Sequence, residues 1–404
     1  RNPPVCIVCN VMHDTNKPLL DILSSYPRGE RELRGLFTKR FTPSMARTWF
    51  ESRGVVLKTE SDGRMFPVTN DSQTIIDTIE KAALEAGVVV ERRSRVDSVD
   101  CYKDSHEDDA QRKRFLVRCK NEIEYPFDAL ILATGSSKTG HDIAKSMGHN
   151  IISPVPSLFT LNMKHEIKNE DGILHGLAGL SVKTARVTFQ MPPLKKQSTQ
   201  APSPPGGKKR KQNKKPSNVS QEGPLLITHR GLSGPASLKL SAFAAREFHT
   251  VNYRGTITVH FCPTLGSAND IETLLWKETF SNKKFVVSGC PFLILNTNGN
   301  NNERMIPKRL WSRLCTKCDI SPSLPWNQLS KTKARVLSQM IAECTMELTG
   351  KDSFKEEFVT AGGLDLKEVN MNNMESKVTP GLYCCGEVVN VDGITGGVYF
   401  FNFW

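Results

Sequence analysis

Two short apolar segments that end in glycine turns constrain the fold of this chain more than any other feature. The first, "ALILATG", covers residues 129–135, and the second, "GLYCCGE", covers residues 381–387 near the other end of the sequence. A short, almost wholly apolar run that ends in glycine is typical of a strand buried in a parallel sheet. Open α/β folds bind nucleotides at the carboxyl ends of such strands, where free backbone N–H groups hold phosphates. The sequence therefore predicts an α/β fold with a nucleotide site at these strand ends.

The turn after the second segment has the residues that such a site needs. Gly386 allows a ligand to approach the backbone because it has no Cβ, and the carboxylates of Glu387 or Asp392 can accept hydrogen bonds from ribityl or ribose hydroxyls. Such a turn can also stabilise negative charge on a reduced flavin. A glycine-rich turn without a ligand remains the alternative. Backbone N–H groups at a helix start would be exposed by Gly393, Gly396 and Gly397.

Hydrophobic periodicity organises the rest of the chain. Residues 71–87 predict a helix with Asp71 as N-cap and Gly87 as its end. Residues 88–100, 114–119 and 124–135 predict strands. Alternating segments from about Ile151 to His260 predict a β-rich unit, and the sequence between about Asp270 and Glu347 predicts a small helical unit. The chain then returns to strand-like sequence.

The net charge of +12 comes mostly from one segment. Between Leu194 and Lys215 the chain has eight Lys or Arg residues and no acid, so the remainder holds 46 basic against 42 acidic residues. This Pro/Gly/Ser/Lys-rich stretch cannot pack a core and predicts a mobile loop. It is either a solvated insertion between strands or a nuclear-localisation or polyanion-binding element, with weak, salt-sensitive nucleic-acid binding through residues 195–215.

The cysteine content and the length of the apolar runs indicate the cellular compartment in which we expect the protein. Eleven scattered cysteines favour reduced thiols and an intracellular, reducing compartment: the cytoplasm or an organelle such as the chloroplast, ahead of the nucleus. Two CxxC pairs, Cys6/Cys9 and Cys315/Cys318, have zinc-ligand spacing, but their separation argues against one shared site, and no metal is expected. No apolar run approaches the roughly 20 residues that span a bilayer, so no membrane association is expected.

Six motifs occur in register over nearly the whole chain: "GRMFPVT" (63–69), "ALILATG" (129–135), "THRGLSGPASLKLS" (228–241), "FVTAGGLDLKEV" (358–369), "MESKVTPGLY" (374–383) and "GEVVNVDGITGG" (386–397). Together they resemble the motifs of the BaiN-like, or aminoacetone-oxidase-like, FAD-dependent flavoproteins. The segment "YPRGERELRGLF" (26–37) and the long basic loop are similar to plant-type members.

The resemblance implies cofactor-binding residues, position by position. The strand end that approaches FAD matches Ala133, Thr134 and Gly135, and the second cofactor motif matches Gly386 and Glu387. The family's Cys-Asn pair that follows its glycine triplet and arginine matches Cys9 and Asn10. The loop beside the flavin ring matches Asp392, Gly393, Thr395, Gly396 and Gly397.

The chain also departs from the family. The GxGxxG loop that cradles the FAD pyrophosphate is absent from this sequence, and residues 5–8 replace a glycine triplet and an arginine. After Gly397 the chain has "VYFFNFW" where the family has a helix. These departures predict a chain truncated at both ends, as an incomplete gene model, a splice variant or a decayed copy, in which FAD binding is weak or lost.

The family resemblance implies an α/β fold: a Rossmann-like FAD-binding domain, here incomplete, with an inserted β-barrel-like portion and a small helical subdomain. Its four segments are residues 1–150 (first part of the FAD domain), 151–265 (β-rich insert with basic loop 194–222), 266–350 (helical subdomain) and 351–404 (return segment).

The expected function is that of an FAD-dependent oxidoreductase acting on an unknown small organic substrate, with NAD(P)H or oxygen as partner. The truncation leaves it open whether the chain is an active enzyme. A non-catalytic remnant and a polyanion-binding or nuclear protein that uses residues 208–215 remain alternatives. No residue stands out as a catalytic acid or base, and the oligomeric state is not predicted.

Overall fold

The computed structural model of the chain describes residues 11–13, 16, 18–60, 63–103, 113–121, 123–191, 218–281, 285–287, 290–294, 303–351 and 359–394. These residues fall into two compact units. The first consists of two chain segments, Arg1–Pro156 and Val359–Trp404, and the second is the continuous segment Ser157–Phe358 between them. The helical segment expected over 266–350 belongs to the second unit, as does the expected β-rich segment 151–265 except for its first six residues.

The first unit and its boundary contain short strands grouped in four small sheets, with helices between them. Its helices are α1 (Leu19–Leu23), α2 (Glu30–Lys39), α3 (Pro43–Glu51), α4 (Ser72–Glu85) and α5 (Lys138–Ser146). Its strands are β1 (Met12–His13), β2 (Leu57–Thr59), β3 (Arg64–Pro67), β4 (Val96–Lys103), β5 (Lys113–Cys119), β6 (Glu124–Phe127), β7 (Leu130–Leu132), β8 (Ile151–Ser157), β18 (Val359–Leu364), β19 (Val369–Asn370), β20 (Glu375–Ser376) and β21 (Leu382–Cys384).

The second unit contains longer antiparallel strands and most of the buried aromatic side chains. Its helices are α6 (Lys164–Lys168), α7 (Gly234–Phe243), α8 (Ala245–Thr250), α9 (Ala268–Ser281), α10 (Lys308–Lys317) and α11 (Lys331–Ala342). Its strands are β9 (Leu161–Asn162), β10 (Ser181–Gln190), β11 (Val219–Ile227), β12 (Gly231–Ser233), β13 (Gly255–His260), β14 (Leu293–Ile294), β15 (Glu303–Arg304), β16 (Cys344–Leu348) and β17 (Gly350–Lys351).

Helix α4 confirms the sequence prediction at both of its ends. The Asp71 side chain accepts a hydrogen bond of 2.9 Å from the backbone N–H of Gln73, which satisfies one of the free donors of the first turn. Gly87 follows the last turn with φ 78°, a left-handed conformation that favours glycine. The helix buries Ile75 against the core of the first unit.

The parallel strand pair predicted from the two apolar segments is present. Strand β21 pairs with β7 in parallel, with Leu382 opposite Leu130 and Cys384 opposite Leu132. The expected burial holds for only part of β7, because Leu132 is 4 % exposed and Ile131 is 66 % exposed. Among the described strands, β7 pairs with β21 alone, so the other edge of β7 has no described partner.

The strand predicted over residues 88–100 is only half correct. Residues from Val96 onward form β4, which pairs with β5, but Val88, Val89 and Val90 are exposed and belong to no described ladder. A run of β-branched residues is not sufficient to form a strand, because the backbone N–H and C=O groups need a neighbouring strand to pair with.

The second unit has an open sheet in place of the expected β-barrel-like portion. Seven strands follow the order β16-β13-β10-β11-β12-β9-β17, and every described pairing among them is antiparallel. Strands β16 and β17 are the two ends of this order and do not pair with each other within the described ladders, so the closure that a barrel requires is not supported.

The helical segment packs on the same core as this sheet. Trp311 of α10 and Trp326 are fully buried, and they belong to one cluster with Phe189 of β10 and Phe248 of α8. A separate helical subdomain therefore stays a prediction. None of the helices in the described part of the chain combines the length and apolar character needed to cross a membrane.

Candidate functional site

The two glycine-ended segments meet at one edge of the small parallel pair. The backbone N–H of Cys385 donates a 3.1 Å hydrogen bond to the carbonyl oxygen of Leu132. This bond extends the β7–β21 ladder by one step and places residues 133–135 beside Gly386. Two motifs from opposite ends of the sequence thus share the carboxyl edge of adjacent parallel strands, the place where open α/β sheets bind ligands.

The turn that follows β7 is held tightly against the next helix. Ser137 is the N-cap of α5, and its hydroxyl accepts from the backbone N–H of Gly140 at 3.4 Å. A Cβ on Gly140 would lie 1.8 Å from Oγ1 of Thr134, so only glycine lets α5 approach the strand end this closely. Gly135 has φ 61°, which also favours glycine. The "ATG" turn and the start of α5 therefore form one unit.

The turn that follows β21 is supported from one side by β18. Gly386 has φ 78° and opens a single helical turn, Gly386–Val388. A Cβ on Gly363 of β18 would lie 2.5 Å from the carbonyl oxygen of Val388. The backbone N–H of Asn390 donates to the carbonyl of Leu364 at 2.9 Å. The close passage of glycine-containing β18 fixes the backbone of residues 386–390.

The next residues of this turn are fixed by the N-terminal part of the chain. Arg28 donates through Nε and Nη2 to the two carboxylate oxygens of Asp392, which is 1 % exposed. The backbone N–H of Ile394 donates to the carbonyl of Ser25 at 2.9 Å. Gly29 has φ 92°, and a Cβ there would lie 2.8 Å from Val391. Residues 25–29 and 391–394 are thus interlocked.

The environment of Glu387 differs from that of an ordinary surface carboxylate. Its side chain is half-buried, and burial raises the pKa of the Glu387 carboxyl, as does the negative charge of nearby Asp392. The Arg28 guanidinium binds Asp392, so the pair of acids is partly neutralised by one cation. Glu387 therefore takes up a proton at a higher pH than an ordinary exposed glutamate does.

Within the described part of the chain, two buried polar atoms beside the turn have no hydrogen-bond partner. Nε2 of His141, on α5, is one of them, and Oδ1 of Asn390 is the other. Burial lowers the pKa of His141, although a hydrogen bond to the backbone of Val388 opposes the shift, so the ring is neutral at pH 7. Unpaired buried polar atoms are costly and call for a partner. These two atoms could pair with the polar edge of a bound cofactor, and the residues present fit such a group.

Residues 8–404 match the family described as HI0933-like protein Rossmann domain. The chain belongs to this family. This match confirms the general expectation that the protein is a flavin-binding, Rossmann-like α/β protein. The resemblance to BaiN-like flavoproteins fits broadly, and its plant-type part stays a prediction.

Named relatives of the HI0933-like chain include two enzymes described as ribosomal RNA dihydrouridine synthase. The one from Escherichia coli is 25 % identical over 87 % of this chain and 74 % of its own length. The one from Haemophilus influenzae is 23 % identical over 87 % and 75 %. The 3-dehydro-bile acid delta(4,6)-reductase of Clostridium scindens is 22 % identical over 93 % of this chain and 80 % of its own length.

The structure places seven of the residues expected to contact the cofactor. Ala133 and Thr134 are exposed, Gly135 and Glu387 are half-buried, and Gly386, Asp392 and Gly393 are buried. Their role in binding FAD stays a prediction. The other expected residues lie outside the described part of the HI0933-like chain: Cys9, Asn10, Thr395, Gly396 and Gly397.

Sequence reasoning missed Arg28 and His141. Arg28 lies in the "YPRGERELRGLF" segment, and only its pairing with Asp392 in the fold gives it a role. His141 is a single histidine in the helix after the "ATG" turn, and its position directly behind a proposed ligand-binding loop was the available signal.

Other expectations concern cysteines and the basic loop. Burial raises the pKa of the thiols of Cys315 and Cys318, the latter to about 11, so both are protonated at neutral pH. The basic stretch of residues 194–215 lies wholly among residues 192–217, which are outside the described part of the chain.

Proposed function

We propose that this chain is an FAD-dependent oxidoreductase whose flavin lies against residues 386–394, at the carboxyl ends of β7 and β21. The observation that carries the proposal is the meeting of the two predicted cofactor motifs, joined by the 3.1 Å hydrogen bond from Cys385 to Leu132. Membership of the HI0933-like Rossmann family supports the same cofactor.

The residues of this turn have distinct roles in the proposal. Gly386 lets the ligand approach the backbone, and the buried Arg28–Asp392 pair fixes the loop that follows it. The half-buried carboxyl of Glu387 accepts hydrogen bonds from cofactor hydroxyls. Neutral His141 provides Nε2 as a hydrogen-bonding atom. A bound flavin supplies transfer of a hydride or an electron pair to or from an organic substrate, with NAD(P)H or oxygen as its partner.

An apolar cavity of about 490 Å³ extends from the "ATG" turn along β7. Hydroxyls of Thr134, Ser137 and Thr139 lie at one part of its wall, and the apolar side chains of Leu130, Ile131 and Ile143 form another part. An apolar wall with a few polar groups is typical of small-molecule sites. In the proposal, this cavity receives part of the cofactor.

The names of the relatives do not fix the substrate. Two are described as acting on ribosomal RNA and one on a 3-dehydro-bile acid, which differ greatly in size and charge. The finer proposal is a small organic substrate, and the test below includes both kinds of compound.

The test is an FAD titration of the purified full chain, monitored by flavin fluorescence and by isothermal titration calorimetry. We expect saturable binding at one site per chain. FAD-loaded protein is then mixed without oxygen with NADH or NADPH, and bleaching of the flavin band reports reduction. Addition of an rRNA fragment or a 3-dehydro steroid to the reduced protein would show which class reoxidises it.

The matched variants are His141→Phe and His260→Phe. Both histidines are buried, but Nε2 of His260 already donates a 2.8 Å hydrogen bond to the carbonyl oxygen of Gly266, and His260 lies in the second unit. Only His141→Phe should weaken FAD binding. Absence of FAD binding by the unmodified chain would support the alternative of a non-catalytic remnant.

A further inference from the structure

The apolar cavity that extends along β7 has one charged side chain in its described wall. Arg95 lines the cavity, and the other described lining residues are apolar or carry a hydroxyl group. None of these lining residues is acidic. The sequence analysis did not single out Arg95, because a single arginine within a predicted strand belongs to no motif.

The sheet of β4 and β5 determines where Arg95 lies. The carbonyl oxygen of Arg95 accepts a 2.9 Å hydrogen bond from the backbone N–H of Lys120. The next residue, Val96, begins β4 and is opposite Cys119 of β5. Val96 also lines the cavity. The backbone that carries the guanidinium is therefore fixed at the cavity wall by the register of the two strands.

The guanidinium of Arg95 has no acidic partner within the described part of the chain. Other arginines of the same region do have one, since Arg92 pairs with Glu80 at 2.9 Å. The nearest acid along the chain, Asp97, lines a different cavity, which it shares with Arg118. The positive charge of Arg95 is thus not neutralised by a described carboxylate.

Hydroxyl groups add neutral hydrogen-bond donors to this wall. They belong to Thr134, Ser137 and Thr139. Because Oγ of Ser137 accepts from the backbone N–H of Gly140 at 3.4 Å, its own proton is available to another acceptor. The rest of the described wall is apolar, and a low dielectric strengthens the attraction between a guanidinium and an anion. The cavity thus combines one cation with several donors.

We propose that Arg95 binds a phosphate group of a dinucleotide that enters this cavity. The guanidinium fork donates two parallel hydrogen bonds to a phosphate, and it stays charged at neutral pH. The hydroxyl groups donate to the remaining phosphate oxygens, and the apolar wall packs against a nucleoside ring.

This inference rests on the proposed function, which assigns the cavity to part of the cofactor. It adds a cation, because the cofactor residues predicted from the sequence include none. FAD and NAD(P)H both carry a diphosphate group next to an adenosine. The phosphate comes from one of these two dinucleotides, and the experiment separates them.

The experiment compares the full chain with Arg95→Gln and with Arg93→Gln. Both variants remove one positive charge from the same stretch of chain, but Arg93 is exposed and is not among the described lining residues. Flavin fluorescence measures FAD affinity, and nicotinamide fluorescence measures NADPH affinity. AMP and adenosine, which differ by one phosphate, are titrated by calorimetry. Thermal unfolding checks that all three proteins are folded.

We expect Arg95→Gln to bind AMP at least about tenfold more weakly than the parent does, as for the loss of a hydrogen bond to a charged group. Adenosine has no phosphate and should bind both proteins equally. Arg93→Gln should bind AMP as the parent does. Added salt should weaken AMP binding by the parent more than by Arg95→Gln, because the variant lacks the attraction that salt screens.

A third variant, Arg95→Lys, keeps the positive charge and removes the guanidinium fork. We expect its AMP affinity to lie between those of the parent and Arg95→Gln. An ammonium group attracts phosphate as a point charge but cannot donate the two parallel hydrogen bonds.

FAD and NADPH identify the source of the phosphate. Weaker FAD binding in Arg95→Gln assigns the FAD diphosphate. Weaker NADPH binding with parent-like FAD binding assigns the nicotinamide dinucleotide.

Parent-like affinity of Arg95→Gln for AMP, FAD and NADPH would overturn the inference. Equal losses in Arg93→Gln, or an equal loss of adenosine binding in Arg95→Gln, would overturn it as well. Failure of the proposed function has a different signature: a parent chain that binds AMP through Arg95 and does not bind FAD would keep the phosphate site and refute the flavin assignment.

Discussion

Arg28 and Asp392 form a bidentate ion pair although 364 residues separate them in the chain. The Asp392 carboxylate is almost completely buried and the Arg28 side chain is mostly so. The same two residues form an antiparallel backbone bridge. The pair therefore joins the N-terminal helices to the proposed cofactor turn, and the carboxylate that the sequence suggested as a ligand for cofactor hydroxyls instead has a protein partner.

The first prediction concerns this pair. Arg28→Met leaves the buried Asp392 carboxylate without its main partner and should lower the free energy of unfolding by about 3–5 kcal/mol. Urea denaturation followed by circular dichroism measures it. The control is Arg47→Met, which removes an exposed Arg47–Glu51 pair of 2.7 Å and should cost only about 0.3–0.5 kcal/mol. Equal losses in the two variants would contradict the importance of the buried pair.

The second prediction compares two helical glycines. Gly140→Ala places a Cβ against Thr134, so we expect about 1–3 kcal/mol of destabilisation and weaker FAD binding because the "ATG" turn must move. Gly35→Ala in α2 meets no atom within 4 Å and should stabilise the protein by roughly 0.5–1 kcal/mol. Chemical denaturation and FAD titration measure both effects. Adding Thr134→Gly should restore the Gly140→Ala variant, and failure of this rescue would argue against the contact.

The third prediction concerns the buried imidazole beside the turn. His141→Phe removes the unpaired Nε2 atom and one hydrogen bond to the Val388 backbone, so the FAD-free protein should lose only about 0.5–1.5 kcal/mol of stability. The FAD dissociation constant should rise about tenfold, or about 1.4 kcal/mol. His260→Phe should lower the stability of the protein and leave the FAD dissociation constant unchanged. Both ring nitrogens of His260 have partners, the Gly266 carbonyl at 2.8 Å and the N–H of Cys262 at 3.2 Å, and the variant loses both hydrogen bonds. Thermal unfolding with and without FAD separates the two. Similar FAD affinity in both variants would remove His141 from the site.

The fourth prediction is a pH dependence. Burial and Asp392 raise the pKa of Glu387 in the folded state above its ordinary value of 4.5, so the folded protein holds this proton to higher pH than the unfolded chain does. The contribution of Glu387 to the free energy of unfolding is therefore lost as the pH rises from 4.5 to the pKa of Glu387 in the folded protein. Glu387→Gln removes that loss, and the FAD-free variant should be more stable than the parent at pH 7.

The difference in the free energy of unfolding between Glu387→Gln and the parent should shrink as the pH falls towards 4.5. Denaturation curves at several pH values measure it. Glu91→Gln, at an exposed position, is the matched control for the loss of one carboxylate and should change the free energy of unfolding only slightly. A Glu387→Gln effect that stays constant from pH 4 to pH 8 would show that its carboxyl is not perturbed by its neighbours.

Local features of the fold could be predicted from the sequence. The Asp71 cap, the Gly87 end of α4 and the apolar runs that form β7 and β21 act through neighbours in the chain or through simple burial. The fate of residues 88–90 could not be predicted, because a strand exists only when another strand supplies its hydrogen bonds. The alternating pattern of the second unit predicted strands, and the family resemblance implied a barrel. The structure has an open strand order, because closure depends on ladders between strands that are distant in sequence.

The candidate site was predictable in its backbone and not in its side-chain partners. Glycines at 386 and 135 mark turns that approach another group, and a sequence pattern can show this. Pairing of Arg28 with Asp392, or of the His141 ring with the Val388 backbone, depends on contacts between residues far apart in sequence. Such pairings leave no periodic signal in the sequence.

The interlock between residues 25–29 and 391–394 has a consequence for biosynthesis. The helices near the N-terminus leave the ribosome first, but the turn that they hold is made only after the whole second unit has been translated. At about 5–20 residues per second, the wait lasts tens of seconds. During that time the guanidinium of Arg28 lacks the carboxylate of Asp392, and β7 lacks β21. The first unit is therefore a late-maturing part of a chain whose middle can fold earlier, and nascent chains stalled before Val391 should expose the Ser25–Gly29 region to proteases.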